Sequence, residues 1–183
     1  LSVILGPHLP PSGKNLRALH LWNARELAFR EVQLRLWKAE GRFDYIGVTT
    51  SSERQYGAVA ALLEAEPERI DFLQINYSLG ERTSAERVLP LAQERGIAVM
   101  VNRPFAGGRL FGAVRDRPLP GWASSFGCEA WSQFFLKYIL SHPAVACAIP
   151  ATSDPEHLAE NMGGGTGALP DEETRRRMED VVG

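Results

Sequence analysis

Tyr45-Ile-Gly-Val-Thr-Thr-Ser-Ser52 and, one helical stretch later, Ile70-Asp-Phe-Leu-Gln-Ile-Asn-Tyr77 decide how this chain is read. Each is a short apolar run of buried-strand composition that finishes in small polar side chains, hydroxyls in the first and amides in the second. Parallel-sheet proteins gather their chemistry at such strand C-termini, because the loops leaving that edge converge on one mouth. Hydroxyls and carboxamides placed there supply neutral donors and acceptors, suited to a carboxamide or a sugar edge.

Working outward, the chain alternates helical and strand segments. Residues 24–40 read as a helix stopped at Gly41, although Val32, Leu34 and Leu36 also alternate as in a strand. Ser52 reads as the N-cap of a helix to Glu66, with Tyr56, Val59 and Leu63 on one face. Residues 84–95 form the next helix, closed by Gly96, and 97–102 the third strand. A Gly- and Pro-rich loop spans 103–127. Residues 128–142 read as a helix whose Trp131, Phe135 and Tyr138 share a core face, and 144–150 as the fourth strand. Pro155 suits the first turn of a short helix ended by Gly163-Gly-Gly165, and an amphipathic helix fills 170–182.

This order predicts an α/β fold with parallel strands and right-handed crossovers, the C-terminal half of a partial (β/α)8 barrel. A small doubly wound sheet competes, but no Gly-x-Gly-x-x-Gly follows any strand. The domain expectation is an irregular segment over 1–24, a remnant of a fourth barrel strand, and a half barrel over 25–183.

Composition bounds the function. The 183 residues carry a formal net charge of −2, so no global field steers them to nucleic acid or acidic membrane. No apolar run approaches the ~18 residues that span a bilayer. Cys128 and Cys147 lie too far apart for a Cys-x-x-Cys site and read as packing residues in a reduced, cytoplasmic-type chain; no metal site is expected. Leu1 at the start and the breaker run His8-Leu-Pro-Pro-Ser-Gly13 suggest a processed start or a missing part of the coding region.

A series of strings then carries a resemblance. Trp37-Lys-Ala-Glu-Gly-Arg, Tyr45-Ile-Gly-Val-Thr-Thr, Asp71-Phe-Leu-Gln-Ile-Asn-Tyr and Leu89-Pro-Leu-Ala come first. Arg103-Pro-Phe-Ala-Gly-Gly-Arg-Leu, Leu140-Ser-His-Pro-Ala-Val and Ile149-Pro-Ala-Thr-Ser-Asp-Pro-Glu-His-Leu-Ala-Glu-Asn follow. In this order, from Arg25 to the end, the chain resembles the C-terminal part of an aldo/keto reductase. The resemblance implies a (β/α)8 barrel that binds NADPH in extended form and reduces aldehydes and ketones. It places Thr49 and Thr50 where the family's Ser-Asn pair holds the nicotinamide carboxamide, and Gln74 where its glutamine does.

It further implies that Arg103, Phe105, Gly107 and Arg109 belong to the loop over the cofactor pyrophosphate, where glycine lets backbone approach and arginine complements charge. Thr152, Ser153, His157, Glu160 and Asn161 match the segment gripping the adenosine end. Two departures stand out. His157 replaces an Arg that NADP-preferring members set against the 2′-phosphate, which leaves NAD open beside NADP. Asn102 replaces a Tyr that stacks on the nicotinamide. His20 is matched to the active-site histidine at the end of the family's fourth strand, while His8 and His142 read as surface or turn residues.

No segment before Arg25 resembles the strands that hold the family's catalytic Asp, Tyr and Lys. The chain is therefore expected to supply mainly the cofactor-binding part of a carbonyl reductase, acting on a small-molecule carbonyl. Its exposed strand edges would be covered by a missing N-terminal half or by self-association. The alternative is a non-catalytic nucleotide-binding or oligomerising half-barrel module. A barrel lyase or isomerase fits less well, because Asp44 and Asp71 stand at strand starts. The Glu172–Arg177 charge run reads as a solvated helix face, and Trp122 and Phe126 either meet substrate or pin their loop.

Overall fold

The apolar runs read as strands lie side by side in one sheet. The computed structural model describes residues 4–5, 19–23, 31–42, 44–65 and 70–182. Its strands are β1 (Ile4–Leu5), β2 (Leu19–Asn23), β3 (Tyr45–Thr49), β4 (Phe72–Asn76), β5 (Ala98–Asn102) and β6 (Val145–Ala148). They are ordered β1-β6-β5-β4-β3-β2. Every neighbouring pair from β2 to β6 is parallel, as strand-helix alternation requires, and β1 alone runs antiparallel, along the outer edge of β6. The segment expected to be irregular over 1–24 thus contributes two edge strands.

Period-two alternation sorts the side chains. Ile46, Val48, Leu73, Ile75, Val99 and Val101 are buried on one face. Against it pack α2 (Tyr56–Ala65), α3 (Ser84–Glu94) and α5 (Trp131–Leu140), contributing Val59, Leu63, Val88, Leu89 and Leu136 to a single core. Each such aliphatic side chain adds roughly 1.5–3 kcal/mol when withdrawn from water. Tyr45, Thr49, Gln74, Ala98, Met100 and Asn102 alternate with the buried set and stay half-covered. Helices on one face and a partly open opposite face make this an arc of a (β/α)8 barrel, with strand C-termini along one rim.

Element boundaries moved where a local interaction competed with the sequence signal. Within the expected 24–40 helix, α1 is described over Glu31–Ala39, which decides against the strand-like alternation; residues 24–30 and His8 lie outside the described residues. Ser52 makes no side-chain cap bond. Its N–H instead donates to Thr50 Oγ1 at 3.1 Å, a 3-10 turn fills Glu53–Gln55, and α2 starts at Tyr56. A hydroxyl two residues upstream has taken over the turn that a cap would have organised. The glycine-rich loop contains a 3-10 turn at Ala106–Gly108, the short α4 (Arg109–Ala113) and a 3-10 stretch at Gly121–Phe126.

The expected helix over 128–142 is the ten-residue α5, and it does not show a core face and a wet face. Its residues from Ser132 to Leu140 are all buried, because the sheet covers one side while α6 (Pro155–Gly163), α7 (Glu172–Val182) and the 121–126 turn cover the rest. Trp122 and Phe126 both pack on Phe134, with ring centroids 5.7 and 6.4 Å away, so they pin the loop. The expected solvated face of α7 holds only in part. Arg176 pairs with Glu172 at the surface, but Arg175 donates to the buried Tyr77 hydroxyl at 2.6 Å and Arg177 covers the Trp122 ring at 4.4 Å. Arginine stems bury well while their planar heads keep partners, so a charge-rich string still docked. His142 also differs from the surface reading: it is 8% exposed, and its Nδ1 accepts from Ala144 N at 3.2 Å. Both cysteines are buried, and burial pushes each thiol up to about 11, consistent with inert packing residues.

Candidate functional site

Parallel register places the strand-end polar residues in rows. Thr49 lies opposite Gln74, and Gln74 opposite Met100; one step further along, Asn76 lies opposite Asn102. The pleat separates the Thr49-Thr50 pair. Thr49 stays on the half-open face, whereas Thr50 is 1% exposed and its hydroxyl donates to Gln55 Oε1 at 2.5 Å. Asn102 Nδ2 donates to Thr50 O at 3.3 Å and Asn76 Nδ2 to Ser51 O at 3.2 Å, so both asparagines tie the β3 exit to later strands. Their Oδ1 atoms are buried with no hydrogen-bond partner among the described residues. An unsatisfied buried acceptor costs about 1–3 kcal/mol. The half-open Thr49 hydroxyl and Gln74 amide in the same rows offer donors and acceptors that a carboxamide ligand can reach.

A second group forms a cleft of about 650 Å³ between the 105–132 segment and the exit of β6. Phe105, which the resemblance matched to the pyrophosphate loop, lines it together with Thr152, His157, Glu160 and Asn161, which it matched to the adenosine end. Phe111, Arg117, Glu129, Trp131 and Ser132 also line it, and these were not read from the sequence. Their only signal was aromatic density in a loop otherwise rich in Gly and Pro. Phe105 and Phe111 meet at 5.0 Å and Phe111 meets Phe135 at 5.5 Å, giving an aromatic wall suited to a purine face. One guanidinium, one imidazole and two carboxylates face the cleft, so it holds no surplus of fixed positive charge for a phosphate dianion.

Ser153 is exposed and does not line the cleft. Thr152 Oγ1 accepts from Asp154 N at 3.1 Å, and Asp154 caps α6 by accepting from Glu156 N at 2.8 Å. The α6 N-terminus with Pro155 in its first turn is thereby held toward the same edge.

Between the two groups runs the Arg103–Arg109 loop. Arg103 and Ala106, both non-glycine, hold φ near +51°. Such left-handed positions cost about 1–2 kcal/mol each and mark a loop whose shape the surroundings impose. Gly107 takes φ +67° without that strain, and a Cβ there would come within 3.2 Å of Arg103 Nη2. Glu81 gathers both arginines, Arg109 at 2.9 Å and Arg103 at 3.7 Å. The guanidinium groups stay half-exposed or more, so they remain accessible to an anion.

His20 falls near the start of β2, opposite Ile46, rather than at the strand's end, where Asn23 is level with Thr49. Pairing with β3 fixes that register. Tyr56, beneath the rim, donates to Asn76 O at 3.4 Å, and burial and then nearby Glu53 push its hydroxyl up to about 12. It is not tuned for proton transfer near neutrality.

The model of the "Aldo/keto reductase family" matches residues 32–179. The "uncharacterized oxidoreductase YrpG" of Bacillus subtilis is 36% identical over 116 residues, covering 57% of this chain and 35% of that protein. The holo form of aldo-keto reductase AKR11C1 from Bacillus halodurans superposes with a TM-score of 0.68 at 20% identity, covering 89% of this chain and 60% of its own. An aldo/keto reductase from Klebsiella pneumoniae, solved with NADP and acetate, gives 0.64 at 19% identity over 89% of this chain and 58% of its own. The chain thus spans about a third of the curated relative and somewhat over half of these structures.

Proposed function

The chain belongs to the aldo/keto reductase family, and on that premise we propose that it grips a nicotinamide dinucleotide for an oxidoreductase acting on aldehydes or ketones. The observation that carries this reading is the parallel register that sets Thr49 opposite Gln74 on the half-open face of the strand-end rim. Those groups would hold the carboxamide, Arg103 and Arg109 the pyrophosphate, and the aromatic cleft with His157, Glu160 and Asn161 the adenosine. When bound, the dihydronicotinamide supplies a hydride to a carbonyl carbon. The lack of surplus positive charge in the cleft supports acceptance of NAD beside NADP.

Within the strand-end row the side chains are amides, hydroxyls and a thioether, so the proton that completes carbonyl reduction comes from elsewhere. That composition also favours a second reading, a nucleotide-binding module without turnover. Among the described residues no helix is long and apolar enough to cross a membrane.

Titrating the purified chain with NADPH and with NADH, read by tryptophan quenching at Trp131, tests the proposal. Saturable quenching is expected with both. Gln74→Ala should weaken binding about 5- to 10-fold, the worth of one or two hydrogen bonds. If neither nucleotide gives a saturable signal, the proposal fails. Carbonyl-dependent oxidation of bound NAD(P)H then separates reductase from module.

A further inference from the structure

The run Gly163-Gly-Gly165 does more than end α6. A Cβ on Gly163 would lie 2.6 Å from Gln133 Nε2, and one on Gly164 would lie 2.8 Å from Leu136 Cβ. Absence of both methyl groups lets the last turn of α6 close directly on the first turns of α5. There, consecutive α5 side chains take hold of one α6 residue. Ser132 Oγ donates to Glu160 Oε1. Gln133 Nε2 donates to Glu160 O at 3.3 Å, while its Oε1 accepts from Glu129 N at 2.9 Å, which fixes the amide's orientation. The Glu160 carbonyl is free for this bond because Gly164 N turns to the Asn161 and Met162 carbonyls instead. Helix ends leave such carbonyls to be satisfied from outside. One turn further along α5, Lys137 Nζ holds the Thr166 and Ala168 carbonyls, tethering the segment that follows.

We propose that Ser132, supported by Gln133, is a positioning residue that orients the Glu160 carboxylate toward the adenine end of the bound nucleotide and so sets affinity for that half alone. The inference rests on the nucleotide-binding reading. A carboxylate on a helix surface samples many rotamers, and ordering it on binding costs affinity. Ser132 is 3% exposed and lines the cleft, so its hydroxyl locks one carboxylate oxygen before the ligand arrives and leaves the other to accept from it. Preorganisation of this kind changes affinity without adding a ligand contact.

The test compares wild type with Ser132→Ala, titrated with NADH, with ADP, and with reduced nicotinamide mononucleotide. The expected result is a loss of about 5- to 10-fold for NADH and ADP alike, with binding of the mononucleotide unchanged. Ser132→Cys, similar in size with a far weaker donor, replaces the alanine variant should that variant fail to fold. Equal losses on both halves would mean a general structural role, and no loss on any would mean no role; either overturns the proposal. If wild type binds no dinucleotide, the nucleotide-binding reading falls first and takes this one with it.

Discussion

Phe134→Ala should destabilise the chain by about 3–5 kcal/mol and lower its thermal midpoint by roughly 10 °C, the largest effect of any single side-chain truncation proposed here. Phe134 is fully buried, and its ring meets Trp131 at 5.2 Å, Trp122 at 5.7 Å, Phe135 at 6.2 Å and Phe126 at 6.4 Å. Deleting it removes the surface on which the 121–126 turn rests. Trp122 also carries Arg177, so α7 loses part of its seat in the same step. A helix covered on every side has no exposed flank through which the cavity can relax, which puts the cost toward the upper end of the range. Thermal and urea unfolding measure it. A loss under about 1 kcal/mol would mean that α5 is not the element fastening helices, loop and sheet together.

Acidification gives the second large effect. Burial, and then the Arg175 guanidinium, push His142 down to about 4. Its surroundings explain the sign, since Nδ1 must stay unprotonated to accept from Ala144 N, and Tyr77 packs on the ring at 5.5 Å. The unfolded chain protonates this imidazole near pH 6.5, so between about 6.5 and 4 the unfolded state binds more protons. Stability is therefore full above about pH 6.5 and falls with pH until the native imidazole itself titrates, a loss of about 3 kcal/mol. His142→Asn keeps an acceptor at the turn but does not titrate. Urea midpoints at about pH 7 and about pH 4.5 should diverge for wild type by more than for the variant. Parallel pH profiles for the two proteins would show that His142 contributes nothing to acid sensitivity.

Sequence and structure agree where a signal is local and unopposed. The strands at 45–49, 72–76, 98–102 and 145–148 were legible because apolar β-type runs with no central Pro have little else to become. Thr49 and Gln74 were legible as rim residues because strand ends follow from the strands. Thr50 was not separable from Thr49 by composition, since only the pleat sends one to the mouth and the other into a turn. Ser52 carried a cap signal that Thr50 pre-empted. Arg175, in a string of six residues of which five are charged, gave no hint of the tyrosine it would meet 98 positions away. His142 stands before Pro143, a pattern that reads as an exposed turn, yet α7 and Tyr77 cover it. The cleft wall formed by Arg117, Trp131 and Ser132 depends on how a long loop returns to the sheet, and no periodicity encodes that. On the functional side, the resemblance assigned Phe105 to the pyrophosphate loop and His157, Glu160 and Asn161 to the adenosine end, and the structure places all four along one cleft.

Lys137 has a chemical consequence of its own. Its ammonium is fully enclosed, burial pulls its pKa down, and its hydrogen bonds go to carbonyls of the turn after α6 rather than to a carboxylate. An acylating reagent reaches that nitrogen only while the turn is lifted away. Acylation then erases the donors that would draw the turn back, so each opening caught this way is recorded permanently. Residues 163–169 thus carry a built-in chemical clock, and its rate reports how often this turn lifts away from α5.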